Sequence, residues 1–575
     1  MDGRLLPCGE RAVLVEVDGL DAVLALRSAL APLAGTGAFT AVTDIVPAAT
    51  TVLLGVAEPD ALPGVRAAVA ELLAALDGVM TRPDAAEPIE IGVCYDGEDL
   101  AEVARITGLE RAAVIAAHTG TDWAVAFGGF APGFAYLAGG DERLQVPRRA
   151  EPRTRVPAGA VGLAGPFSGI YPRASPGGWQ LIGRTDAVLW DPDRDPPALL
   201  QPGRRVRFRA VDECPPDSSR PPDSSRPPDS SRPPDSSRPP DSSRHPGERR
   251  DLDPRAELPG RARDDGAAIV PAVHGLGRPE HRGPGLAVLA TGPLALLVDE
   301  GRPGFAAIGV GASGAADRAF YRLGNRLAGN PPGAAALEVM LGGLAVRAMS
   351  SCLAVLTGAD CAPTVDGRPA THGGPVYLRA GQELRLGVPR AGLRGYLCVA
   401  GGFEVPPTLG SVSTDTLSGV GPPPVAAGDV LSIRTPEGVR SFAGVDHAPT
   451  ASLGTGALEL DVLPGPRTDW LAEPGELAGQ EWTVSEQSDR VGVRLSGRPL
   501  VRHRSKQGRE LPSEPMVRGS IQVPPDGRPV VFGADHPVTG GYPVAGVLTE
   551  AASDALAQAR PGDRIAFRPV PERAR

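Results

Sequence analysis

Lysine is almost missing from this chain. Of 58 basic side chains in 575 residues, Lys506 is the one that is not arginine. Schiff-base enzymes, Walker-type phosphate loops and biotin carriers each need a lysine in a defined setting. Lys506 sits in Arg504-Ser505-Lys506-Gln507, which is neither a glycine-rich phosphate loop nor the Met-Lys-Met of a biotin carrier. The chain therefore offers no biotin attachment site. Aromatic residues make up only 4%, so the cores must be built from Val, Leu, Ala and Ile. Long apolar runs are also missing: Leu286–Val298 is interrupted by Gly292 and Pro293 and is too short to span a bilayer. The start, Met1-Asp2-Gly3-Arg4, lacks the basic and apolar regions of a signal peptide. The net charge is −10, and no basic stripe suits a nucleic acid. Six cysteines (Cys8, Cys94, Cys214, Cys352, Cys361 and Cys398) form no CxxC pair. They read as reduced thiols of a cytoplasmic protein.

Glycine (74) and proline (63) are abundant, which favours a turn-rich, strand-rich fold of at least two globular units. Residues 1–90 alternate strand and helix. Strands are expected at Arg11–Val17, Phe39–Val46, Thr50–Val56 and Pro88–Val93, with helices at Asp21–Leu33 and Leu62–Leu76. This βαββαβ order predicts a small ferredoxin-like α/β subdomain. Two short helices, Asp99–Thr107 and Leu109–His118, open the segment 91–212. Short apolar runs broken by Gly and Pro then predict a β-barrel. Residues 213–284 form a linker, with five Pro-Pro-Asp-Ser-Ser-Arg copies at 215–244. It has too little apolar surface to offset chain entropy and reads as disordered. Residues 285–570 return to strands, including Leu286–Ala290, Ala295–Asp299, Ala354–Thr357, Gly395–Val399 and Leu458–Val462. One helix is expected at Ala315–Leu327, with Ser313 as its N-cap.

The densest motif set runs from Gly128-Gly129-Phe130-Ala131-Pro132-Gly133-Phe134 through Arg148, Arg153 and Val156-Pro157-Ala158-Gly159. It ends with Ser175-Pro176-Gly177-Gly178-Trp179 and Gly183-Arg184-Thr185. Glycines let backbone amides approach a ligand, prolines fix loops, and arginines offer forked cationic donors. Such a surface can hold phosphate or carboxylate, although each glycine can equally be a turn residue.

This ordered set resembles the allophanate-hydrolase subunit 1 domain, found as the B subunit of bacterial 5-oxoprolinase and in the carboxyltransferase region of urea amidolyase. His118 stands where that family carries a histidine. The second half resembles the companion subunit 2 domain (the C subunit) through Gly301-Arg302-Pro303-Gly304, Ser313-Gly314, Gly324-Asn325-Arg326, Leu337-Glu338 and Ser488-Asp489-Arg490. Ile521-Gln522-Val523, Asp535 and Thr539-Gly540-Gly541-Tyr542 complete the match.

The resemblance implies two cyclophilin-like β-barrel halves and an ATP-dependent 5-oxoprolinase component. That component would phosphorylate the lactam of 5-oxoproline so that a separate A subunit opens it to glutamate. ATP with Mg²⁺ is then the expected cosubstrate, an amide the substrate, and a higher oligomer of the fused chain stays open. Arg148, Arg153, Arg184 and Arg302 are assigned to anions, and Glu338, Asp489 and Asp535 to metal or amide contacts. Gln522, Thr539, Gly540, Gly541 and Tyr542 are assigned to the substrate pocket. Phe130, Pro132, Gly133, Phe134, Pro157, Gly159, Gly177, Gly178, Thr185, Gly304, Ser313, Asn325 and Arg490 join the binding surface, and His118 lies near the ligand. Two rival readings are a biotin-dependent carboxyltransferase domain pair and a non-enzymatic inhibitor of a sensor histidine kinase.

Overall fold

The computed structural model describes residues 1–76, 87–214, 283–435, 448 and 456–571. The hexapeptide repeats lie outside the described residues. Gly3–Pro7, Ala12–Val17, Thr51–Val56 and Val42–Pro47 pair in that spatial order as an antiparallel sheet. Two helices, Leu20–Leu30 and Leu62–Ala75, cover it. In the second helix Leu62, Val65, Val69 and Leu73 are buried, a three-to-four residue spacing that turns one face to the sheet. The expected last strand leaves this subdomain. Ile89–Val93 instead pairs in parallel with Arg205–Ala210, and Gly3–Pro7, not foreseen as a strand, takes the edge beside Ala12–Val17.

Ile89–Val93 is the edge strand of a seven-stranded sheet that also contains Trp123–Gly129 and Ala131–Ala138. Helices Leu100–Thr107 and Arg111–Thr119 pack on its core. Its two parallel strands run in register, and the ladder continues as Val211 N–H donates to the Val93 carbonyl at 3.0 Å. Just beyond it, Cys94 and Cys214 are brought together as a disulfide with Cα atoms 5.2 Å apart. The expectation of six free thiols is corrected for this pair. A separation of 120 residues leaves no local spacing to read.

The third part, 283–435, is a pair of facing sheets of six and five strands. Leu286, Val346 and Leu384 from one sheet meet Leu297, Leu337 and Leu397 from the other. Because side chains alternate along a strand, Leu296, Val298 and Tyr396 face away and are covered by the helix Arg318–Leu327. A Cβ on Gly324 of that helix would lie 2.7 Å from Cys398 Sγ, so glycine lets the helix sit against the sheet. The helix starts three residues later than expected. Its N-cap is Asp317, whose Oδ1 accepts from Phe320 N–H at 3.0 Å.

The last part, 456–571, is a closed barrel of seven strands around Leu460, Trp482, Ile521, Val531 and Ile565. Among the described residues no helix is long and apolar enough to cross a membrane.

Candidate functional site

The two motif sets meet. A methyl group placed on Gly128 would fall 2.4 Å from the Ala307 carbonyl oxygen, and one on Gly129 would fall 2.4 Å from Thr539 Oγ1. One on Gly309 would fall 2.3 Å from the Ala131 carbonyl oxygen. Only glycine allows backbones this close. Asp44 of the N-terminal sheet accepts from the Gly304 and Ala306 amides at 3.0 and 3.2 Å. Arg173 donates to the carbonyls of Leu417 and Ser418 at 2.6 and 3.1 Å. The glycine-rich loops of both halves therefore form one seam.

On the first half's side of the seam stands an aromatic cluster. Phe134 and Tyr171 are buried beneath Phe130, which is 40% exposed and makes edge-to-face contacts with both. Phe130 itself has φ of 64° at the turn between two strands. Burial raises the pKa of the Tyr136 hydroxyl, and Arg148 and Ser513, one from each half, oppose that rise. On the other side Gln522 Nε2 donates to the Tyr542 carbonyl at 3.3 Å, and Gly540 lies against Gln522 and Met516. Tyr542 is 44% exposed and Gly541 is exposed beside it.

The four arginines assigned to anions divide into two kinds. Arg153 reaches Asp99 at 2.8 Å and Glu98 at 3.0 Å, and Arg184 reaches Asp96 at 2.8 Å. These two are neutralised within the first half. Arg148 is exposed and has no carboxylate partner among the described residues. Arg302 is 1% exposed. It donates to the carbonyls of Thr408, at 3.4 Å, and Ser413, and its Nη1 has no hydrogen-bond partner. Burial lowers its pKa, with Asp415, Asp299 and Asp535 opposing that shift.

Glu338 and Asp535 converge on Arg490, a residue the motif pattern assigns to the binding surface. Arg490 Nη1 donates to Glu338, and its Nε donates to Asp535 at 2.9 Å. Arg394 adds a contact to Glu338 at 3.3 Å. Glu338 also accepts from Tyr396 Oη and the Ala316 amide at 2.9 Å, and Asp535 accepts from Ser313 Oγ and Thr416 Oγ1 at 2.7 Å. Burial pushes both carboxyls up, but the arginine charge outweighs it and holds them below the ordinary range. Both acids are fully engaged, so they do not fit as free ligands for a divalent cation. Ser313, expected to cap a helix, instead sits at φ 54° and binds Asp535.

Several other expectations are corrected. His118 is 0% exposed and stacks on Phe208 inside the seven-stranded-sheet domain. Its Nε2 is 2.8 Å from Ser168 Oγ, its Nδ1 is 2.7 Å from Tyr95 Oη, and burial pulls its pKa to about 3. It is a satisfied core histidine. Asp489 is exposed, and its carboxylate holds a turn through the Val491 and Gly492 amides at 2.8 and 3.0 Å. Asn325 binds the Ala334 carbonyl at 2.9 Å and Asn330 at 2.8 Å, which makes it a loop fastener. Gly133, Gly159 and Gly177 allow close packing on Trp190, Thr185 and Tyr171, respectively. Pro132, Phe134 and Thr185 are buried in or beside the sheet, and Pro157 and Gly178 lie in the loops at its rim. Among the described residues, the group with metal-ligand proximity is Cys94, Asp96 and Cys214, whose two sulfurs are already bonded.

A cavity of about 220 Å³ opens behind the seam, between the N-terminal sheet, the Arg302 loop and the barrel. Arg302 is legible in the sequence motifs, whereas Arg318, Arg518 and His536, which line the same space, are not. Arg318 carries no signal beyond a helical position.

The family described as "Carboxyltransferase domain, subdomain C and D" matches residues 3–200, and that described as "Carboxyltransferase domain, subdomain A and B" matches 308–569. Over 286 residues the chain is 36% identical to the C subunit of 5-oxoprolinase from Escherichia coli, covering 49% of this chain and 90% of that subunit. Over 123 residues it is 54% identical to the B subunit of 5-oxoprolinase from Escherichia coli O157:H7, covering 21% of this chain and 56% of that subunit. The crystal structure of TTHA0988 superposes with a TM-score of 0.77 at 34% identity, covering 97% of this chain and 99% of that one.

Proposed function

The chain belongs to the carboxyltransferase-domain family that includes the B and C subunits of 5-oxoprolinase, and on that premise we propose that it is the fused B/C component of an ATP-dependent 5-oxoprolinase. The observation that carries this reading is the seam. Motifs resembling those of the B subunit (Gly128 to Phe130) touch motifs resembling those of the C subunit (Ala306 to Gly309 and Thr539) within one chain.

A lactam carbonyl is a poor electrophile because nitrogen donates into it. Transfer of a phosphoryl group from ATP to the lactam oxygen forms an O–P bond and makes the ring carbon open to water. Water adds to that carbon and the ring C–N bond breaks to give an acyl phosphate. A second water then displaces phosphate with the lactam oxygen, so that 5-oxoproline, ATP and two waters give glutamate, ADP and phosphate. Catalysis of such a transfer rests on positioning and charge stabilisation. Arg148 and Arg302 lack a carboxylate partner among the described residues, and they fit the anionic groups of nucleotide and substrate. Mg²⁺ would arrive on the nucleotide phosphates, because Glu338 and Asp535 are committed to arginine. A separate A subunit is the partner that completes ring opening, and a cytoplasmic setting belongs to the same reading.

The test is reconstitution. The chain is mixed with a cognate A subunit, ATP, Mg²⁺ and 5-oxoproline, and glutamate is assayed. Arg148→Ala, an exposed change that leaves the fold intact, lowers turnover at least tenfold on this account. Wild-type turnover in that variant removes Arg148 from the site.

A further inference from the structure

The cavity behind the seam has two contrasting walls. Cys8, Ala12, Val46 and Leu53 of the N-terminal sheet and Met516 and Val538 of the barrel make an apolar floor. Arg302, Arg318, Arg518 and Arg11 line the rest, with His536. Their partners are unequal. Arg11 Nη2 donates to Glu550 at 2.9 Å, and Arg518 is held by Asp554 at 2.7 Å and the Ala316 carbonyl at 2.6 Å. Arg318 is not held in this way. Its nearest carboxylate oxygen, on Glu550, is 3.8 Å away, and its Nε has no hydrogen-bond partner. Its side chain keeps 23% of its surface accessible. Burial and then the neighbouring Arg518 charge pull its pKa down to about 10, so it stays cationic at neutral pH. Arg302, nearly fully buried on the same cavity, has an unpartnered Nη1. Buried donors without acceptors are rare in folded proteins and are accounted for when a ligand or water supplies the acceptor. The acids on the lining are already engaged: Asp44 by the Gly304 and Ala306 amides, Glu10 by the Glu550 amide, and Glu550 by Arg11.

We propose that this cavity is a binding site for a small carboxylate on a compact five-membered ring, received by the Arg318 guanidinium with Arg302 behind it. The lactam ring would lie on the Cys8–Val538 floor and the carboxylate on the arginine wall. This rests on the 5-oxoprolinase reading and names the place of its substrate. A ring of five atoms with one carboxylate fits about 220 Å³, whereas a whole nucleotide does not. The carboxylate also sets the specificity, because a neutral ring would leave the arginines unpaired.

The test is calorimetric titration of the intact chain with 5-oxoproline and with 2-pyrrolidinone, the same ring without the carboxylate. Glutamate formation with the A subunit is measured on the same preparations. Arg318→Gln weakens 5-oxoproline binding at least tenfold, and Arg318→Lys weakens it less. Val538→Phe, which fills the floor, weakens it as well, and 2-pyrrolidinone binds wild type and Arg318→Gln alike. Thermal melting verifies that each variant is folded. Wild-type affinity in folded Arg318→Gln and Val538→Phe overturns the site while leaving the enzyme reading intact. So does inorganic phosphate binding here in place of 5-oxoproline. Absence of glutamate from the wild-type complex overturns the enzyme reading instead.

Discussion

Gly129 and Thr539 are 410 positions apart in sequence, yet a Cβ on the glycine would sit 2.4 Å from the threonine Oγ1 and 2.9 Å from its methyl carbon. Thr539 is buried, so it cannot swing clear. Gly129→Ala is therefore expected to cost about 1–3 kcal/mol, the usual range for overpacking. Thr539→Ala in the same chain should recover part of that. A double-mutant cycle by denaturant unfolding should give a coupling of about 1 kcal/mol. Strict additivity of the two changes would mean the halves do not meet at this point.

Arg490 holds two buried carboxylates at once. Arg490→Met leaves Glu338 and Asp535 short of a counter-charge, and the expected loss is about 3–5 kcal/mol. Replacing Glu338 by Gln as well should recover part of it. The pH dependence has a definite sign. Both carboxyls titrate below the ordinary carboxylate range in the folded state. Their contribution is present above the unfolded carboxyl value of about 4 and is lost as pH falls through the folded values. Thermal melts of wild type and Arg490→Met should converge as pH drops below about 4.

Asp317 shifts the other way. Burial raises its carboxyl to about 6, although Gln558 and the Phe320 amide oppose that. A raised acid favours the folded state while it is protonated. Its contribution is full below the unfolded value of about 4 and is lost as pH rises through about 6. Asp317→Asn cannot titrate and keeps an oxygen for the Phe320 amide. Relative to that variant, wild type should gain about 1–3 kcal/mol between pH 7 and pH 4. A difference that does not change over that interval would contradict the account.

Local signals carry much of the fold. Leu62–Ala75, Gly285–Thr291 and Cys352–Gly358 lie within a few residues of where apolar periodicity places them. Gly3–Pro7 escapes because five residues ending in proline show no alternation, and only pairing with Ala12–Val17 makes them a strand. The site is legible residue by residue but not pair by pair. Glu338, Arg490 and Asp535 each stand out in the motifs, while the fact that the arginine consumes both acids depends on contacts spanning 152 and 45 positions. His118 stands out in the family likeness, whereas its burial is set by Phe208 and Ser168 far along the chain. Arg302 is likewise more deeply embedded than a surface loop suggests. It ties down the 408–413 loop, so its replacement by alanine is expected to disturb folding as well as binding.

Lactam activation by phosphorylation of the ring oxygen, as proposed for this chain, leaves an isotopic trace. The direct measurement uses 5-oxoproline carrying oxygen-18 at the ring carbonyl, with the chain, an A subunit, ATP and Mg²⁺, and mass analysis of both products. The account predicts that the label appears in inorganic phosphate in step with glutamate formation. Phosphate free of label, with all of it retained in glutamate, would contradict it.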